Sequence, residues 1–129
     1  MSHADFRLAT IENLPFEDHS FDCVLSSLMI HHLPPDLKLT GLTEVYRVLK
    51  PGGRLLVVDI YRPVNLLWWI IAWVLYFSKF TRDHIAGRLP YYFRKTGFHQ
   101  IENVGRWKGL LSFWLAYKAD QKIYLDIEN

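Results

Sequence analysis

YRVLKPGGRLLVVDI, residues 46–60, is the stretch on which the fold turns. Its first part completes a helical pattern that begins near Asp36, with Leu39, Leu42, Val45, Val48 and Leu49 recurring at three- and four-residue spacing. Pro35 and Asp36 suit a helix start, and Pro51-Gly52-Gly53 is a stop signal. RLLVVDI then reads as a buried strand closed by Asp59. A buried strand fed by a helix requires parallel neighbours on a sheet covered by helices.

The rest of the chain supplies candidates for those neighbours. FDCVLSSLMI, residues 21–30, is a second apolar run with Asp22 at its entry, broken by HHLPPD. ADFRLAT, residues 4–10, alternates Phe6 and Leu8 with polar neighbours and predicts a short strand, followed by the polar loop IENLPFEDHS. Downstream, TRDHIAGRL reads as an exposed connection or a short helix. PYYFRKTGF predicts a short helix with Pro90 in its first turn and Gly97 as its left-handed terminator. HQIENV and LLSFWLAYK predict an antiparallel hairpin across GRWKG. Both faces of the second hairpin strand are apolar, which places it inside the sheet, between RLLVVDI and HQIENV. DQKIYLDIEN predicts a loose tail, giving a domain over 1–119 and a tail over 120–129. Alternating strands and helices imply an α/β layered domain, mostly parallel with an antiparallel C-terminal hairpin. Ligands on such sheets sit beyond the carboxyl ends of the strands, here Thr10, SSLMIHH, and Asp59 to Tyr61.

Composition narrows the function classes. The chain has 129 residues, half of them hydrophobic, enough for one domain with a core. A net charge of +2 without a Lys/Arg run gives no nucleic-acid surface. Cys23 is the only cysteine, so intrachain disulfides and thiolate zinc sites are excluded and a reducing compartment is expected. The opening MSHADFRLATIE carries no apolar signal core, which favours a cytoplasmic location. VNLLWWIIAWVLYF, from Val64 to Phe77, is uncharged and stays open to three readings. It is a helix buried on nearly all sides, a helix lying in a membrane interface or over a lipophilic pocket, or a span, for which it is short.

The run from LPFEDHSFDCVL through HHLPPD to RVLKPGGRLLVVDI resembles the class I S-adenosylmethionine-dependent methyltransferases, within them the small-molecule and lipid-quinone branch. The likeness continues more weakly through KTGF and the closing hairpin. It implies a partial Rossmann-like methyltransferase sheet, strands three to seven of the family, and S-adenosylmethionine as cofactor. The family's glycine-rich loop and second-strand acid would both precede Ala4, and no GxG occurs anywhere in the chain. The resemblance therefore implies an N-terminally truncated methyltransferase acting on a small, lipophilic acceptor, with the isolated chain inactive. The alternatives are a non-catalytic half-domain that needs a partner chain, and a membrane-surface protein. The strand starting at Phe21 is expected at an open sheet edge, where it can pair with a second copy.

Site residues follow from the same likeness. Where the family has an acid and a small apolar residue before LPF, this chain has Thr10 and Ile11; Thr10 becomes a neutral partner for the adenine, beside the Ile11 amide. Ser26, Ser27 and Leu28 match the segment beside the cofactor's methionine part. His31 is the candidate catalytic residue, as a base or hydrogen-bond donor to the acceptor, with loop packing as the other reading. His31 and His32 are adjacent and diverge, so they make a poor chelating pair, and no metal is expected. Asp22 and Glu44 read as structural; Asp59 either approaches the acceptor or caps the following turn.

Overall fold

The computed structural model describes residues 3–75 and 81–120. Pro35 and Asp36 open α1 (Pro35–Val48), where proline's fixed φ and a carboxylate both suit the first turn. Leu42, Val45 and Val48 form its buried stripe. The helix ends where Leu49 becomes extended. Lys118 Nζ donates to the carbonyls of Tyr46 and Leu49 at 2.7 and 2.8 Å, satisfying acceptors that the ending helix leaves open.

Four strands follow the order β1-β2-β4-β3: β1 (Phe21–Ser27), β2 (Leu49–Ile60), β3 (His99–Trp107) and β4 (Leu111–Tyr117). β1 runs parallel to β2, while β4 lies between β2 and β3 and antiparallel to both. The hairpin thus contributes half of the described strands, and only the β1–β2 pairing is parallel. Phe21 pairs with Leu49 and Cys23 with Arg54, so the Pro-Gly-Gly corner loops out of the ladder within β2. β1 has no second neighbour among the described residues, which leaves it at the edge.

Residues 4–10 form no strand, contrary to their alternating pattern. Phe6 and Leu8 are 92% and 104% exposed, and the one bridge in this region joins Thr10 to Asn13. A strand is held by its neighbour's hydrogen bonds, and none of the four described strands pairs with this segment.

Helices roof one face of the sheet. Leu55, Val57, Trp114 and Ala116 point into a core shared with Leu42 and Val45 of α1, and with Leu89 and Phe93 of α4 (Leu89–Lys95). Gly97 ends that last helix at φ +101, the left-handed conformation glycine adopts without a Cβ penalty. On the opposite face, Leu56, Val58, Phe113 and Leu115 are half-buried and Leu25 is 65% exposed.

The aromatic segment forms α2 (Leu66–Leu75), and of its three readings the one of burial on nearly all sides is overturned. Ala72 is buried and Trp68 half-buried, against Ile60, Ile85 and Leu110; Leu66, Leu67, Trp69, Ile70, Ile71, Trp73 and Val74 are exposed. The reason is geometric, since a ten-residue helix touching the body along one narrow stripe cannot bury apolar residues placed all round it. The short α3 (Arg82–Ile85) follows, with His84 and Ile85 fully enclosed. Residues 76 and 77 of the aromatic stretch and 121–129 of the tail lie outside the described residues.

Candidate functional site

The carboxyl ends of β1 and β2 meet at a turn. Leu28 takes φ +51 and its N–H donates to the Val58 carbonyl at 2.8 Å; a single 3₁₀ turn, Ile30–His32, then leads into α1. Beside the open edge of β1 lies a cleft of about 450 Å³. Val24, Ser26 and Ser27 form its strand side, Gly41, Leu42 and Val45 its helix side, and Ile11 and Leu14 its loop side. A second hollow of about 510 Å³ shares Ile11, Leu14, Phe16 and Met29 with the first and adds Asp5 and Thr10.

α1 clasps the loop that closes this cleft. Glu44 accepts from the Leu14 N–H at 2.9 Å, and Arg47 donates to the carbonyls of Leu14 and Phe16 at 3.1 and 2.8 Å. Arg47 also binds Glu44 and Asp18. The Arg47 hydrogen bond, helped by the Leu14 amide, holds the Glu44 carboxyl below its ordinary range. Ile11 packs against α1 so closely that a Cβ at Gly41 would stand 2.7 Å from its Cγ1. Glu44 is structural here; Asp22, which is exposed, faces Lys50 at 3.3 Å.

The geometry gathers some of the sequence-derived residues and separates others. Ile11, Ser26 and Ser27 share the first cleft, while Thr10 is exposed and reaches only the second hollow. Leu28 is 46% exposed and lines neither, although Met29 beside it lines both. His31 is buried and turned inward: its Nδ1 lies 2.5 Å from Asp59 Oδ1, and its backbone N–H reaches Asp59 Oδ2 at 3.3 Å. No α2 residue lines either hollow, so that helix does not cover them.

Asp59 belongs to a buried polar group that the sequence did not disclose. Burial raises its pKa, but the His31 hydrogen bond, the neighbouring imidazoles and the Ile60 amide outweigh that and hold the carboxyl below its ordinary value. His84, fully enclosed, sets Nδ1 3.0 Å from the Ile60 carbonyl, while its Nε2 has no partner. Burial lowers its pKa to about 4. Lys38, also fully enclosed, lies 3.9 Å from Asp83, which also accepts from the Tyr92 hydroxyl at 2.5 Å and faces Arg88 at 3.6 Å. Desolvation lowers the Lys38 pKa and raises that of Tyr92. His84 comes from TRDHIAGRL, where a four-residue helix is too short to show a period.

Chemically, the first cleft is an apolar slot with one orphan: Ser26 Oγ is buried and lacks a partner. Residues 1–57 match a family model described as a methyltransferase domain. An uncharacterized methyltransferase of Synechocystis is 43% identical over 58 residues, 45% of this chain and 27% of that protein. A ubiquinone/menaquinone biosynthesis C-methyltransferase of Haemophilus ducreyi is 46% identical over 56 residues, covering 43% and 21%. The solved structure of an S-adenosylmethionine-dependent methyltransferase from Methanosarcina mazei superimposes with a TM-score of 0.70 at 20% identity, over 93% of this chain and 69% of that one. The first half of the chain is thus similar to methyltransferase domains, and its fold is shared with a solved methyltransferase.

S-adenosylmethionine is the cofactor of class I methyltransferases. The matches cover about a quarter of the curated relatives' length. The first cleft fits the apolar part of that cofactor, an aromatic base and a carbon chain on sulfur, with Ser26 Oγ available as a donor or acceptor. It does not fit the polar ends. No carboxylate lines that cleft, and Asp5 on the second hollow is held by Arg7 at 2.8 Å.

Proposed function

We propose that this chain forms one wall of an S-adenosylmethionine-dependent methyltransferase site acting on a small, lipophilic acceptor. The observation that carries this reading is the apolar cleft at the β1 edge, holding Ile11, Ser26 and Ser27 together with the Ser26 hydroxyl unpartnered. When bound, the cofactor supplies an electrophilic methyl group. The chain's own task is to exclude water and fix orientation, which is where an in-line displacement gains most. Ile11 flanks the base, and Ser26 offers its hydroxyl. His31, tied to Asp59, is a positioning residue that holds the Leu28–Met29 turn at the cleft mouth. The other wall and the partners for the cofactor's charged end come from a segment that pairs with β1, an N-terminal part of the same protein. The quinone-pathway names of the matched relatives point to an apolar aromatic acceptor methylated on carbon.

Amide chemical shifts followed during titration with S-adenosylmethionine test this at the residues named. The expected result is weak, saturable shifting at Ile11, Ser26, Ser27 and Met29. Shifts confined to other regions, or none at ligand concentrations of tens of millimolar, would overturn it.

A second reading, a half-domain completed by another chain, is supported by the unpaired β1 edge and exposed Leu25. Sedimentation showing a stable homodimer that a Leu25→Lys change dissolves would favour it.

A further inference from the structure

The surface around α2 is apolar, aromatic and cationic at once. Seven of its side chains, from Leu66 to Val74, are exposed, with Val64 just before them at 52%. The turn between β3 and β4 adjoins its first turn: the Val64 N–H donates to the Gly109 carbonyl at 3.1 Å. A Cβ at Gly109 would stand 2.4 Å from Trp68 Cδ1, so only glycine, here at φ +72, lets the two elements touch. That turn carries Trp107, 53% exposed, with Lys108 Nζ 4.6 Å above its ring. Arg106 donates to the Arg62 carbonyl, which brings two further exposed cations to the same rim. Neither 60–74 nor 104–118 contains an Asp or Glu. Of the chain's five tryptophans, all but the buried Trp114 stand here.

We propose that α2 and the neighbouring hairpin turn form a docking surface for an anionic lipid bilayer. The occupant is set by three features together. An exposed apolar patch of this size marks an interaction surface. Tryptophans concentrate at the headgroup level of membranes. A cationic rim without acids attracts anionic headgroups, whereas a second copy of this chain would bring cations against cations. Among the described residues no helix is long and apolar enough to cross a membrane, so α2 lies in the interface plane with its exposed side chains among the acyl chains. None of these residues lines the cleft, and the inference stands whether or not the cleft carries out methyl transfer.

Flotation of the full chain with vesicles tests it. Phosphatidylcholine mixed with phosphatidylglycerol should retain the protein, pure phosphatidylcholine much less, and salt should weaken the difference. The double variant Ile70→Gln/Trp73→Gln should lower partition roughly tenfold or more by removing buried apolar area. Arg62→Gln and Lys108→Gln should each cost about fivefold on anionic vesicles. If the double variant unfolds, quenching of wild-type tryptophan fluorescence by bromine-labelled lipid decides. Equal binding by wild type and folded variants, absence of both flotation and quenching, or a homodimer that the same variants abolish would each overturn the proposal.

Discussion

His84 should make this fold sensitive to mild acid. Its ring is fully enclosed, with Nδ1 on the Ile60 carbonyl, and its pKa falls from 6.5 to about 4, first through burial and then through the Lys38 charge, with Asp59 opposing. The unfolded chain binds a proton at this ring more readily than the folded one. Stability is therefore full above pH 6.5 and is lost as pH falls toward 4. The depression of about 2.5 units corresponds to about 3 kcal/mol at 1.36 kcal/mol per unit. Asp59 acts in a lower window: its folded pKa lies beneath 3.8, so its contribution holds above that value and is lost as pH falls through the depressed one. Urea unfolding at a series of pH values should show a loss of about 3 kcal/mol between pH 6.5 and 4 in the wild type, and a much flatter profile in His84→Gln. Equal slopes in the two proteins, or a His84 ring resonance titrating near 6.5, would refute the reasoning.

Three further substitutions probe packing and the open edge. Gly41→Ala gains about 0.5–1 kcal/mol in helix propensity. It also forces Ile11 off its close contact, an overpacking cost of about 1–3 kcal/mol, so denaturant unfolding should show net destabilisation. Phe93→Ala empties a fully enclosed position between α4 and the sheet and should cost about 3–5 kcal/mol in the same assay. Leu25→Lys places a charge on the open β1 edge and should reduce concentration-dependent light scattering without lowering the melting temperature.

The elements that follow local rules were legible in the residues. Pro35-Asp36, Pro90 and Gly97 punctuate helices through their own backbone restrictions and bound the expected elements, whereas Pro51-Gly52-Gly53 lies inside β2 as a looped-out corner, three residues after α1 ends. The interior place of β4 was legible because both its faces are apolar, although only one is fully covered. Residues 4–10 misled because alternation describes a strand's faces and says nothing of whether a neighbour exists. The α2 stretch was ambiguous because its apolar residues occupy every direction, and only contact geometry shows which few are covered. Of the site, the likeness brought out Ile11, Ser26 and Ser27, which share a cleft. The inward turn of His31, and the enclosed Lys38 and His84, depend on how three distant segments pack, which no local spacing encodes.

Calorimetry with S-adenosylmethionine tests most directly whether this chain offers only one wall of the cofactor site. A micromolar complex is worth about −8 kcal/mol. Lacking a charged contact of about 1.5–3 kcal/mol, and several backbone hydrogen bonds of about 1 kcal/mol each, the described cleft should bind at roughly millimolar or weaker. Supplying a strand–GxGxG–helix segment, fused ahead of residue 4 or added separately, should bring the affinity back to micromolar with one site per chain. Micromolar, one-to-one binding by the 129-residue chain alone would contradict the one-walled site.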